Sequence, residues 1–329
     1  MASGAGRLAQ ILGPVQEDLE RVTDRLMACL QNPVARMAAY LITAGGKRLR
    51  PALVLLAGRS GEARQHRRAL VDLAAAVELI HTATLIHDDI IDDSVLRRRQ
   101  PTFHSRFGTE RAVLMGDYLY ATAFAILAEL NDSQATRVMA EVCQQMSRGE
   151  FLEVEHRFNV AMTEDDYFQV IRDKTASLIA ACCRLGAQVA GARPQTVRQV
   201  SEFGWNFGMA FQIMDDCLDL VGEEAAVGKN LRADLDKGLL SLPIIYLANA
   251  LPRRARDTFF APLLQTRATP RGFLSRVARE AQRRGAITQA MQAAETFIRQ
   301  ATDAVAVRDG IMLTETYRQL ARYAIERDR

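Results

Sequence analysis

Apolar positions along most of this chain recur every three or four residues, the period of an amphipathic helix, and strand-like alternation is scarce. Over Leu70 to Asp92, residues Val71, Ala74, Ala75, Leu79, Thr82 and Ile86 keep that spacing. Over Ser201 to Val221, residues Phe203, Gly204, Phe207, Gly208, Phe211, Met214 and Leu218 do the same. Both segments are apolar or small on most sides, which is the pattern of a helix buried at the centre of a bundle. Ala, Leu, Arg, Glu and Gln, all good helix formers, fill most of the other segments. Glycine and proline fall between segments instead of inside them, which predicts breaks at 13–14, 32–33, 58–61, 100–108, 131–133, 191–194, 222–228 and 251–254. Those breaks leave roughly ten helices or more. No linker-like stretch and no short repeat divides the chain. The spacing therefore predicts an all-α protein in which residues 1–329 form one helical bundle.

Composition narrows the function classes. Of 329 residues, 49% are apolar and 25% charged, the balance of a globular protein, and the formal net charge is only +3. A general nucleic-acid binder shows a stronger basic excess, so nucleic acid is not an expected partner, although a local basic pocket for a phosphorylated substrate remains open. The cysteines, Cys29, Cys143, Cys182, Cys183 and Cys217, are odd in number and include no C-x-x-C pair, which points to a reducing, cytoplasmic location with thiols used as small apolar side chains. The N-terminus does not have the pattern of a secretory leader. No uninterrupted apolar run approaches the ~18 residues of a membrane span, so no transmembrane segment is expected.

The strongest chemical signal is a pair of acidic clusters. His87-Asp88-Asp89-Ile90-Ile91-Asp92-Asp93 and Gln212-Ile213-Met214-Asp215-Asp216-Cys217-Leu218-Asp219 each contain D-D-x-x-D at the end of an apolar helix. Residues four apart share a helix face, so Asp88 pairs with Asp92 and Asp215 with Asp219. Like charges at that spacing repel, and carboxylates near a core need a counter-charge. Hard oxygen ligands suit Mg²⁺, which takes one or two carboxylates together with substrate phosphates and waters. One such cluster is as readily an exposed acidic helix end. Two on long apolar helices are hard to read that way.

Cations accompany the clusters. Gly45-Gly46-Lys47-Arg48-Leu49-Arg50-Pro51 joins flexible glycines to three positive charges, a combination that lets backbone and side chains approach a phosphate, though a basic turn is as often simply solvated. Arg97-Arg98-Arg99 follows the first cluster and is either a surface salt-bridge patch or an anion grip. Lys174-Thr175 lies in an otherwise apolar helix, and Gly228-Lys229 follows the second cluster. His81 sits seven residues before Asp88, on roughly its face; His87 reads as a core residue.

With these residues in place, the chain resembles a trans-isoprenyl diphosphate synthase, the polyprenyl synthetase family. The matching segments run in order through GGKRLRP (45–51), ELIHTATLIHDDIID (78–92), RRRQPT (97–102), VLMGDY (113–118), Lys174-Thr175, FQIMDDCLD (211–219), and Gly228-Lys229 through Leu242-Pro243, covering roughly residues 40 to 250. Residues 322–329 look like the family's closing helix. The resemblance implies the isoprenoid synthase fold, a helical bundle around a central cavity, and a homodimer, for which the apolar segment Arg111 to Leu130 offers an interface. It implies that Asp88, Asp92 and Asp215 hold three Mg²⁺ ions with the allylic diphosphate, supported by Asp89, Asp216 and Asp219. Arg97, Lys174 and Lys229 would grip that diphosphate. Lys47, Arg50, His81 and Arg98 would bind isopentenyl diphosphate, and Thr175 and Gln212 would line the reacting centre.

Two departures from the family pattern stand out. Arg99 replaces a glycine, and Leu239 occupies a position where many members carry a lysine, with Lys237 two residues earlier. The family's product tunnel is floored by residues just ahead of the first cluster; here these are Ala83 and Thr84, with Ile80 a turn deeper, and the small pair implies a medium or long polyprenyl product such as a quinone side chain. The resemblance also implies peripheral membrane contact for product release. The rival readings are a shorter-chain synthase, a partner-dependent subunit of a heteromeric synthase, a terpene cyclase, which would carry a different second metal motif, and a helical scaffold without chemistry.

Overall fold

The computed structural model describes residues 4–43, 46–97, 100–221, 235–266, 272–306 and 314–326. The chain opens with α1 (Gly4–Ile11), α2 (Gln16–Cys29) and the short α3 (Ala39–Thr43), then runs through α4 (Leu49–Gly58) into α5 (Arg67–Ile91). A two-residue hairpin, β1 (Leu96–Arg97) with β2 (Gln100–Pro101), leads to α6 (Phe103–Phe107), α7 (Thr109–Glu129) and α8 (Ser133–Glu155). After α9 (Glu164–Ile171) comes one turn of π-helix, Arg172–Ala176, which continues directly into α10 (Ser177–Val189) and then α11 (Pro194–Val221). Helices over Leu242–Asn249, Arg253–Thr266, Phe273–Arg283, Ala286–Ala306 and Thr314–Glu326 complete the described chain. The isolated two-residue hairpin is the only strand structure among the described residues.

The helices pack in a row, α7 on α5, α5 on α4, α4 on α10, α10 on α11, and α11 on the helix Ala286–Ala306. One hydrophobic core runs through them from Leu8 to Ala324. Local chemistry fixes several ends. Asp132 caps α8 by accepting hydrogen bonds from the backbone of Gln134 and Ala135, and Thr163 with Asp166 forms a capping box that starts α9. Pro194 opens α11, where its fixed φ suits a first helical position.

Sequence spacing and structure agree on the two central helices, with α5 and α11 each longer at the N-terminal end than the apolar pattern alone indicates. Several breaks among the described residues were not anticipated, including those at 46–48 before α4, at 156–163 after α8 ends at Glu155, and at 284–285 before the helix Ala286–Ala306. The expectation about membrane spans also needs correction. Arg67–Ile91 and Thr109–Glu129 are both long and apolar enough to cross a bilayer, because averaging over many Ala, Leu and Ile residues tolerates the isolated charges that interrupt a continuous run. The apolar window of the first is 78% buried among other helices, as a core helix is; that of the second is 39% buried. Cys182, Cys183 and Cys217 are buried and Cys29 and Cys143 half-buried, all unpaired. Burial pushes the Cys182 and Cys217 thiols up to about 12.

Candidate active site

The first acidic cluster straddles the end of α5. Asp88 and Asp89 lie in its last turn and Asp92 is its C-cap, with the Asp92 N–H donating to the Asp88 carbonyl at 2.9 Å. Carboxylates at this end face the negative pole of the helix dipole, an arrangement that costs stability without nearby cations. The chain then turns sharply through Asp93, whose φ of 47° is left-handed, and folds the β1–β2 hairpin back on the helix. The return brings Arg97 to Asp89: its Nε and Nη2 both lie 2.8 Å from Oδ1 of that buried carboxylate. Asp92 takes two cations from distant segments, Arg157 at 2.9 Å and Lys237 at 3.3 Å, and the Lys237 ammonium also donates to Ser94 at 2.9 Å.

The π-turn carries the next two site residues. An extra residue in a helical turn rotates side chains out of the regular register, and such turns concentrate at functional sites. Two glycines clamp it. A Cβ on Gly149 of α8 would stand 2.6 Å from the Lys174 nitrogen, and one on Gly208 of α11 would stand 2.7 Å from the Ala176 Cα. Within the turn, buried Asp173 accepts a two-pronged contact from Arg148 at 2.8 and 2.9 Å and another hydrogen bond from Gln169. Lys174 is held between Glu150, at 2.6 Å, and Glu153 on the facing turn of α8. Burial works against the charge on Lys174, but Glu153, Asp88 and Glu150 outweigh it, so the ammonium is held more firmly protonated than a free lysine. Burial pushes the Asp88 carboxyl up to about 7, with Lys174 pulling the other way.

Thr175 faces the second cluster, which lies wholly inside the last turns of α11. Its hydroxyl donates to Gln212 Oε1 at 3.0 Å, the Gln212 amide donates to Asp216 Oδ1 at 2.9 Å, and the Tyr167 hydroxyl donates to Asp216 Oδ2 at 2.7 Å. These are neutral donors. Burial therefore prevails and raises Asp216 to about 7, even though both hydrogen bonds favour its ionised form. Adjacent residues of one π-turn thus address the two clusters, Lys174 towards Asp88 and Thr175, through Gln212, towards Asp216.

A further basic group lies at the start of α4 and midway along α5. Arg50 Nη1 is 3.0 Å from His81 Nε2, so these two predicted residues are together. Lys47 sits 5.3 Å from the ring centroid of Tyr323 on the helix Thr314–Glu326. Arg48, at a left-handed φ of 44°, is tied to Glu78 at 2.5 Å and to the Ile42 carbonyl, which marks it as the structural member of the basic segment. Arg98 and Lys229 lie outside the described residues. Of the three tunnel-floor residues, Ile80 and Ala83 are fully buried and Thr84 is half-buried.

The residues present fit divalent cations. Around the first cluster five carboxyl groups, Asp88, Asp89, Asp92, Glu150 and Glu153, stand among four cations, Arg97, Arg157, Lys174 and Lys237. Asp88 and Asp216 are the carboxyls that burial raises most clearly, the condition of acids awaiting a counter-charge. Among the described residues no three acidic, histidine or cysteine side chains converge into one cage. A hard cation here would complete its shell with water and phosphate oxygens, as Mg²⁺ does in nucleotide and diphosphate sites.

Several members of this site were not singled out from sequence. Arg157 lies in the unanticipated turn after α8; the Thr163-x-x-Asp166 capping box was the available signal that a new helix starts there. Glu150 and Glu153 share a helix face at i, i+3, and Tyr167 carries no local signal at all. The Leu239 departure has a structural counterpart. Leu239 is half-buried, while Lys237, just before the left-handed Gly238, delivers its ammonium to Asp92 and Ser94. The Gly238 carbonyl accepts from the Phe158 N–H at 2.8 Å, which pins this segment beside Arg157.

Comparison with known proteins agrees with this geometry. The chain is 41% identical over 239 residues to heptaprenyl diphosphate synthase component 2 of Geobacillus stearothermophilus, covering 73% of each chain. It is 31% identical over 320 residues to octaprenyl diphosphate synthase of Escherichia coli K12, covering 95% of this chain and 97% of that one. The crystal structure of a polyprenyl synthase from Caulobacter crescentus, complexed with calcium and isoprenyl diphosphate, superposes with a TM-score of 0.89 at 32% identity over 99% of both chains. The sequence signature of polyprenyl synthetases matches residues 31–269, and this chain therefore belongs to the polyprenyl synthetase family.

Proposed function

We propose that this chain is a trans-prenyltransferase that adds isopentenyl diphosphate to an allylic diphosphate and makes a polyprenyl diphosphate. The observation that carries the reading is the π-turn, which sets Lys174 beside the first aspartate cluster and Thr175 into the hydrogen-bond chain of the second. Mg²⁺, three ions by the family pattern, would be held by Asp88, Asp92 and Asp215 with Asp89, Asp216 and Asp219 in support, and supplies positive charge that stabilises the departing pyrophosphate. Lys174, fixed by Glu150 and Glu153, and Arg97, fixed by Asp89, hold the allylic diphosphate in line for ionisation of its C–O bond. Lys229 joins them by resemblance. Lys237 is the cation that the chain offers in place of the one missing at Leu239. Lys47, with the Arg50–His81 pair and Arg98, orients isopentenyl diphosphate so that its double bond meets the allylic carbon. The hydrogen-bonded Thr175–Gln212 pair lines that meeting point. Proton loss to the released pyrophosphate completes the addition, and no protein nucleophile is required.

Residues 1–329 act as one unit in this reading, supported by the continuous core. The unpaired thiols support a cytoplasmic setting, and the small Ala83 and Thr84 support a medium or long product, such as a quinone side-chain precursor. Purified protein given farnesyl diphosphate, isopentenyl diphosphate and Mg²⁺ should extend the primer, and Asp215→Ala should lower turnover by about a hundredfold or more with the fold intact. Full turnover in that variant would remove the assignment. A second reading, a catalytic subunit that needs a different partner chain, is favoured by the name of the Geobacillus relative; polyprenyl diphosphate made by the purified chain alone would exclude it.

A further inference from the structure

Away from the aspartates, a hollow of about 690 Å³ opens where the first turn of α8 meets the end of α10 and the start of α11. That volume is in the range that holds a small organic molecule. Arg184 and Gln188 line it from one face of α10, four residues apart; Val197, Arg198 and Trp205 line it from α11. Among the described residues neither Arg184 nor Arg198 has a hydrogen-bonded or ion-paired carboxylate. Glu202 is the one acidic residue in the lining, so two guanidinium groups face one carboxylate and the hollow carries surplus positive charge. Trp205 supplies the broad apolar wall. The guanidinium of Arg172 lies 5.8 Å from its ring centroid, and Arg172 is the first residue of the π-turn that bears Lys174 and Thr175.

We propose that this hollow binds an amphipathic anion, a phosphate or carboxylate head on an apolar body. The head sits on Arg184 and Arg198 and the body lies along Val197 and Trp205. Occupancy changes the surroundings of Arg172 and so reaches the π-turn through its first residue. The reading does not depend on which prenyl chain the enzyme makes, and it uses none of the residues assigned to catalysis.

Trp205 is the only tryptophan in the chain, so its emission reports the hollow directly. Titration of the full-length protein in EDTA with farnesyl monophosphate, and separately with dodecanoate, should shift or quench that emission with saturation. The tighter of the two identifies the source, a prenyl phosphate or a fatty acyl anion. Inorganic phosphate, which lacks the apolar body, should bind at least about tenfold more weakly than the better amphiphile. Arg184→Ala with Arg198→Ala should weaken binding about tenfold or more, and Glu202→Gln, which removes the lining carboxylate, should tighten it. The Glu202 variant keeps the test decisive even if the arginine pair proves necessary for folding. An emission that does not respond to either amphiphile in EDTA, one that responds only after EDTA is replaced by Mg²⁺ and so belongs to the aspartate site, or affinity unchanged in both sets of variants, would each overturn the proposal.

Discussion

At the scale of single residues, the site is defined by acids kept in an unfavourable place. Burial holds Asp88 and Asp216 up to about 7, whereas a free aspartate titrates near 4. Between roughly pH 4 and 7 the folded protein therefore retains protons that the unfolded chain has released, and stability falls as pH rises through that window. In EDTA, Asp216→Asn should raise the urea midpoint at pH 8 by an amount worth about 1–3 kcal/mol and change it little at pH 5, while abolishing most activity. Equal stability of variant and parent at pH 8 would contradict the burial of an uncompensated acid. The tunnel floor offers a second residue-scale test. Ala83 has no exposed surface, whereas Thr84, one turn before Asp88, is half-open, so Thr84→Phe is the gentler block. It should shorten the product by at least one five-carbon unit, read by mass spectrometry of the prenyl alcohols; an unchanged distribution would move the floor elsewhere.

At the scale of elements, the π-turn is the hinge of the arrangement, because one extra residue lets neighbouring side chains address two helices. Its position depends on close approach by α8 and α11, which glycine permits at 149 and 208. Gly149→Ala would press a methyl group on the Lys174 backbone, at 2.6 Å, and something must shift. We expect a loss of about 1–3 kcal/mol in stability and a fall in kcat larger than any change in KM, measured by urea unfolding and steady-state kinetics. Unaltered kcat would mean that the turn tolerates displacement. The two acidic helix ends were legible at this scale because D-D-x-x-D and an apolar 3.6-residue period are local patterns. Arg157, Lys237 and Tyr167 were not, since each reaches its aspartate from an element far away in sequence, and nothing in its own neighbourhood marks the meeting.

For the whole molecule, exposed apolar side chains indicate where a second copy would sit. Val113 and Leu114 near the start of α7 and Phe151 and Val154 near the end of α8 are exposed, Leu114 at 66% and Phe151 at 65%. The two helices touch and are joined by the short connection 130–132, so a tight return would set these positions at the same end of the pair. Large apolar side chains grouped on a surface mark association sites. We expect a homodimer by light scattering and a monomer for Leu114→Glu combined with Phe151→Glu. A parent protein that is already monomeric at micromolar concentration would end this assignment and turn attention to a different partner chain.

The sequence by itself determined the helical class, the two central helices, both aspartate clusters and the basic segments, because each depends on residues within one or two turns of one another. Only the tertiary structure decided which partner serves which acid: the cations Arg97 with Asp89 through a two-residue hairpin and Arg157 and Lys237 with Asp92, and the neutral Tyr167 hydroxyl with Asp216. Those pairings depend on how helices cross and where turns end. Crossing is set by the packing of the whole core, and a linear pattern of residue types does not encode it at any single position.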